Sequence, residues 1–278
     1  MFEKSVPSWL VGVWKRLSIE ENGQKDTTTQ VIWIQTHSCF GDIRIPADRP
    51  MLEPAIGSVQ ALSPAQAIAL SHQAGFAGIT RFHSGADGDL CQWHRALDYR
   101  PFEGQFDIGR VHWQGDILIE TGIESTYTEE WQRIETGPTA ALTLLRGPMR
   151  QAWLVMCGDW FIYGCDRRFS LPAAGSLTEL VEASSVRETL VRETLQQPPL
   201  VGVSHYQYLN CEISLGHCQT GSVPWKIQNS TLPWKVGRSL WQDDELTLDK
   251  PNRRLIQSNK QSETIWAVQE WGHLEQLL

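Results

Sequence analysis

Val31-Ile32-Trp33-Ile34-Gln35-Thr36-His37-Ser38-Cys39-Phe40-Gly41-Asp42-Ile43-Arg44-Ile45 reads as two strands joined by a tight turn. β-Branched and aromatic residues recur with a period of two, the mark of a strand with two unlike faces. With Ser38-Cys39 as a two-residue turn, His37 faces Phe40, Gln35 faces Asp42 and Trp33 faces Arg44. These six side chains then share one side of the ribbon. Ile32, Ile34, Thr36, Ile43 and Ile45 take the other side, which must be buried. The mixed side holds two large rings, an amide, an acid and a base. Exposing it to water would forgo about 2 kcal/mol per ring. Two readings stand beside that one: a structural Asp42–Arg44 network, and a polar patch in a ligand cavity.

Similar runs extend along the chain at Phe76 to Phe82, Leu90 to Leu97, Arg110 to Trp113, Ile117 to Thr121 and Thr128 to Ile134. Two segments read as helices. Ser63-Pro64 supplies an N-cap with proline in the first turn, and Gly75 a stop. Ser176 to Gln196 carries leucine and valine at helical spacing. Four segments also recur in order: Val31–Ile34 against Gln151–Leu154, Phe76–Phe82 against Leu200–Tyr206, Trp113–Asp116 against Trp241–Asp244, and Glu130–Glu135 against Glu270–Glu275. The chain therefore divides into halves 1–137 and 138–278, each with about eight strands and one inserted helical segment. Eight antiparallel strands close naturally into a barrel, which removes exposed edges. The fold class expected is mainly β, with two tandem antiparallel eight-stranded barrels.

The 278 residues are 41% hydrophobic and 20% charged, with 24 basic and 32 acidic side chains and a formal net charge of −8. A balance on the acidic side argues against nucleic acid or an anionic membrane as partner. No run approaches the roughly 18 apolar residues of a membrane span, and the apolar stretch Trp9–Trp14 is too short for a signal peptide. A cytoplasmic location is expected. The six cysteines form no CxxC pair and read as free buried thiols. Cys211, His217 and Cys218 match no zinc spacing. HExxH, GxSxG, the P-loop and GxGxxG are all missing from the sequence. Glu129-Glu130 cannot act as a dyad, since neighbours in a strand point to opposite faces. Neither a metal, a cofactor nor a catalytic residue is expected.

Aligned on Trp33 and Trp153, with Gly158-Asp159 as the second turn, Gln35 becomes Val155, Asp42 becomes Ile162 and Arg44 becomes Gly164. Trp93-His94-Arg95 likewise stands against Ile213-Ser214-Leu215. The polar set is thus confined to the first half, although burying it costs several kcal/mol unless it is paired. Of the 13 tryptophans, Trp225 and Trp234 lie in repeated Pro-Trp-Lys units that read as pins for a long loop.

Trp33, Gln35, Ser38, Phe40, Asp42, Arg44 and Pro46 form a W-x-Q-x-x-S-x-F-x-D-x-R-x-P pattern. With Trp14-Lys15-Arg16 in a first strand, this resembles an uncharacterised bacterial family with two lipocalin-like (calycin) barrels. The resemblance implies a fold more than an activity. The glycine-rich opening and haem-binding histidine of nitrobindin-like barrels are not evident, so no haem is implied. The expected function is binding of a small, partly apolar ligand with a polar or anionic group in the first barrel. Its site would comprise Trp33, Gln35, His37, Phe40, Asp42, Arg44, Trp93 and His94, with Arg44 meeting the anionic end. Two alternatives are a calycin-type isomerase, cyclase or chromophore lyase using His37, Asp42 and His94, and a protein-interaction module. Ligand identity and oligomeric state stay open.

Overall fold

A computed structural model describes residues 2–86, 88–101, 107–146, 149–167, 171–172, 175–184, 205–219, 223–242, 246–258, 262–272 and 274. The first half forms a closed barrel. Its strands are β1 (Gly12–Glu21), β3 (Gln30–Gln35), β4 (Cys39–Ile45), β5 (Ala74–His83), β6 (Asp89–Asp98), β7 (Asp107–Gln114), β8 (Ile117–Gly122) and β9 (Tyr127–Glu135). The short β2 (Gln24–Asp26) folds back on the end of β1. Neighbouring strands pair antiparallel in chain order, and β1 pairs with β9 to close the ring. The expected eight-stranded barrel is therefore present in this half. Its floor is plugged by the N-terminal segment, where Val6 and Leu10 are buried and the Trp14 indole donates to the Leu10 carbonyl at 2.9 Å.

The helix α1 (Pro64–Ser71) begins as expected. Ser63 caps it and exchanges reciprocal hydrogen bonds with Gln66, with Pro64 in the first turn. It ends at Ser71, before Gly75, because Ala74 already belongs to β5.

The second half departs from expectation. Its strands are β10 (Thr139–Arg146), β11 (Met149–Cys157), β12 (Trp160–Cys165), β13 (Glu212–Cys218), β14 (Trp225–Ser230), β15 (Leu246–Asp249), β16 (Arg254–Ser258) and β17 (Glu263–Glu270). They form one sheet in the order β14-β13-β12-β11-β10-β17-β16-β15. That order parallels β6-β5-β4-β3-β1-β9-β8-β7 in the barrel. Yet among the described residues β14 and β15 do not pair, so this sheet is not closed. The free edge of β14 is taken by its own downstream loop. Ile227 exchanges backbone bonds with Gly237 and Arg238 at 2.8 and 2.9 Å, and Leu240 donates to the Trp225 carbonyl at 2.9 Å. A covered edge has no donors left for β15.

The other expectations for this half are met only in part. Residues 200–204 lie outside the described residues, and His205 opens a short helix (His205–Leu209), so the match to β5 does not hold there as strand. Of the expected helix over Ser176 to Gln196, residues 177–184 are helical and 185–196 lie outside the described residues. Trp225 sits in β14, not in a loop. Trp234 does lie in the connecting turn and packs onto the main core. None of the six cysteines is in a disulfide, and five of them are buried.

The two sheets divide between Glu135 and Thr139, yet they share the largest core of the molecule. Ile34, Ile43 and Ile45 on the outer wall of β3 and β4 pack with Trp153, Val155, Ile162, Ile213 and Leu215 of the second sheet. The isoleucine side of the hairpin is thus buried between halves. Gly41 permits the contact, since a Cβ there would sit 2.9 Å from Ile162 Cγ2. Polar bridges frame the seam. Arg49 donates to the Ser230 carbonyl at 2.7 Å and Arg167 to the Tyr99 carbonyl at 2.7 Å. Glu270 accepts from Thr36 Oγ1, Ser38 N and Ser38 Oγ at 2.6–2.8 Å.

Candidate functional site

The hairpin that opened the reading folds with a different register. Its turn is His37-Ser38, with Thr36 N bonded to the Cys39 carbonyl at 2.9 Å. Gln35 faces Phe40, Trp33 faces Asp42 and Val31 faces Arg44. Thr36 sets this register, because its Oγ1 accepts from Cys39 N at 3.0 Å while its one proton goes to Glu270. The slip from the expected register is two residues, so every side chain keeps its face.

That face lines a cavity of about 470 Å³ in the barrel. Trp33, Phe40, Asp42, Arg44, Trp93 and His94 all border it. Two of the expected residues do not. Gln35 is fully buried, but its amide is consumed by the carbonyls of Thr36 and Cys39 and by the Thr80 hydroxyl. His37 is exposed in the turn, where its backbone N–H meets Glu270 at 3.2 Å. Hence His37, Asp42 and His94 are not brought together. The sequence pattern splits in two: Trp33, Phe40, Asp42 and Arg44 serve the cavity, while Gln35 and Ser38 shape the turn and tie it to the second sheet.

The comparison between halves also changes. Trp33 faces the lumen, whereas Trp153, its match in sequence, faces the first barrel in the shared core. With a period of two, alignment on a single tryptophan pairs opposite faces. By strand order β13 corresponds to β5, so Ile213-Ser214-Leu215 is not the counterpart of Trp93-His94-Arg95. The apolar face of the second half therefore says nothing about the lumen.

The wall of the cavity is built from rings. Trp33 meets Trp131 edge to face at 5.4 Å and Trp93 at 5.8 Å, and stacks on Trp14 at 5.7 Å. The indole N–H groups of Trp33 and Trp131 are buried and have no hydrogen-bond partner among the described residues. Burying a donor without an acceptor costs roughly 1–3 kcal/mol. His94 Nε2 is likewise buried without a partner, and burial, together with the Arg81 charge, lowers the His94 pKa.

Charged groups complete the wall. Arg44 Nε bonds Asp42 at 2.9 Å and its Nη1 reaches Glu129 at 3.3 Å. Arg16 bonds Glu129 at 2.8 Å across the β1–β9 seam. Arg95 bridges Asp107 and Asp98 at 2.7 and 2.9 Å and lies over the Phe76 ring at 3.8 Å. Burial pushes the carboxyls of Asp42 and Asp98 up, against the pull of their arginines.

Glu120 is the residue that sequence reasoning missed. It lies directly across from Glu129 on β8 and β9. It is 5% exposed and accepts from the Tyr127 hydroxyl at 2.8 Å. Among the described residues no cation stands within ion-pair distance of it. Burial and the adjacent Glu129 push its pKa well above the ordinary carboxylate value. The signal was readable: folding the β8–β9 hairpin on paper, as for β3–β4, sets the two glutamates opposite each other.

The raised value has a sign. A carboxyl whose pKa is higher folded than unfolded contributes stability below the unfolded value of about 4.3, and that contribution fades as pH rises through the folded value. Glu120→Gln removes this dependence. Urea unfolding from pH 5 to 9 should show the variant gaining on the wild type as pH rises. A difference that does not vary with pH would contradict a buried, neutral Glu120.

The molecule is thus a closed antiparallel β-barrel with an aromatic and charged lumen, backed by a second antiparallel sheet. Its fold is similar to that of YLR301w, an uncharacterised protein of Saccharomyces cerevisiae solved by crystallography. The TM-score is 0.54 at 12% identity, covering 93% of this chain and 97% of that one. No family model matches the chain, and no curated protein matches it. Among the described residues no cluster of His, Cys, Asp and Glu could hold a metal, and no helix is long and apolar enough to cross a membrane.

Proposed function

We propose that the first barrel binds a small, partly apolar ligand in its lumen, as in the calycin barrels that its hairpin pattern resembles. The observation that carries this reading is the pair of buried indole N–H groups at Trp33 and Trp131. Both tryptophans border a 470 Å³ cavity, and among the described residues neither buried N–H has an acceptor. A ligand oxygen or nitrogen would satisfy them, and the ring walls would bury its apolar part.

The test begins with native mass spectrometry of protein purified from its own host, followed by denaturing analysis of what is released. Trp33→Phe and Trp131→Phe keep a ring and remove the N–H. Each should weaken the recovered ligand about tenfold, the loss of one hydrogen bond of about 1.4 kcal/mol. Unchanged affinity in both variants would overturn the assignment.

A further inference from the structure

The guanidiniums of the lumen are already engaged. Arg44 serves Asp42 and Glu129, and Arg95 serves Asp98 and Asp107. Arg100 donates to the carbonyls of His72 and Gln73 at 2.6 and 3.0 Å. An anionic ligand would have to compete with carboxylates that hold Arg44 and Arg95 at 2.7–3.3 Å. Glu120 is in the opposite position: a lumenal carboxyl whose hydrogen-bond partner is a neutral phenol. A buried acid with no cation beside it is a place where a positive charge is missing. The aromatic wall at Trp33, Trp93 and Trp131 also favours a cation over its ring faces.

We infer that the lumen selects a small organic cation, with its ammonium or amidinium group against Glu120 and an acceptor oxygen at the Trp33 and Trp131 N–H groups. This rests on the lumen being a ligand site, as proposed above. It reverses the charge expected from Arg44 in the sequence. The groups facing Glu120 are Glu129 and Tyr127 on β9, Asp107 on β7, Cys91 on β6 and Arg44 on β4. Most are acidic or neutral, and burial with the adjacent Glu129 raises the Glu120 pKa in the empty lumen. An entering ammonium ion pairs with the Glu120 carboxylate, and the carboxyl proton passes to solvent. Cation binding therefore releases a proton and strengthens as pH rises.

The probes are matched triads in which one aromatic or alicyclic ether skeleton ends in an ammonium, a hydroxyl or a carboxylate. Calorimetry at pH 7 in buffers of different ionisation enthalpy reads both affinity and protons. The ammonium member should bind at least about tenfold tighter than the alcohol, with the carboxylate weakest and close to one proton released. In Glu120→Gln, whose amide oxygen still accepts from Tyr127, the advantage of the ammonium over the alcohol should collapse and the proton release vanish. A carboxylate that binds best, an alcohol equal to the ammonium, or a preference that survives Glu120→Gln would overturn the inference. Binding that weakens in Trp33→Phe but shows no preference for the ammonium member would leave the lumen standing as a site and refute only the charge. A panel in which no skeleton binds would refute both.

Discussion

Arg16→Met is expected to lower the unfolding free energy by about 3–5 kcal/mol, because it takes the closer of two guanidiniums from the buried Glu129. Arg16 and Glu129 have side chains 5% and 2% exposed and meet at 2.8 Å. They sit where β1 and β9 close the barrel, beside a register irregularity between Arg16 and Ser18. The remaining partner, Arg44, lies at 3.3 Å and is shared with Asp42. Urea denaturation with an unchanged slope would report the loss directly. A drop below about 1 kcal/mol would place the pair in the weak class of solvent-screened bridges and refute its role in the seam.

Ile162→Ala should cost about 2–5 kcal/mol, the range for a large aliphatic side chain removed from a packed core. Ile162 is fully buried in the cluster shared by both sheets and fills the space left by Gly41. The shape of the transition matters as much as its midpoint. One shared core predicts that far-ultraviolet dichroism and tryptophan fluorescence move together in a single transition, in wild type and variant alike. Two separated transitions would show that the halves hold themselves up independently.

The hairpin at 31–45 disclosed a good deal in the sequence. Its alternation gave two faces, and a register wrong by two residues left both faces intact, since side-chain direction has that same period. Ser63 and Pro64 announced the helix start through local chemistry that needs no tertiary context. What stayed hidden were choices made between elements. Whether Trp153 pointed inward or toward the neighbouring sheet depended on which face met the other half. The covering of the β14 edge by Gly237–Leu240 replaced one set of backbone bonds by another, and the side-chain pattern records neither. Glu120 escaped because single-strand reasoning compares neighbours along the chain, whereas its partner Glu129 lies across a turn. His37 was assigned to the lumen face from a turn placed one residue too late, and the true turn carries it outside the barrel.

The shared core also orders events during synthesis. The barrel can close once Glu135 of β9 has left the ribosome, for β9 is the last strand it needs. At that moment Ile34, Ile43 and Ile45 form a bare apolar wall, and the residues that cover it, from Trp153 to Leu215, have yet to emerge. At about 5–20 residues per second the wall stays uncovered for several seconds. A nascent barrel with one sticky flank is a natural client for a holding chaperone. A chain truncated near Gly137 would keep that flank permanently, so such a fragment should accumulate as aggregate even though its strands could close.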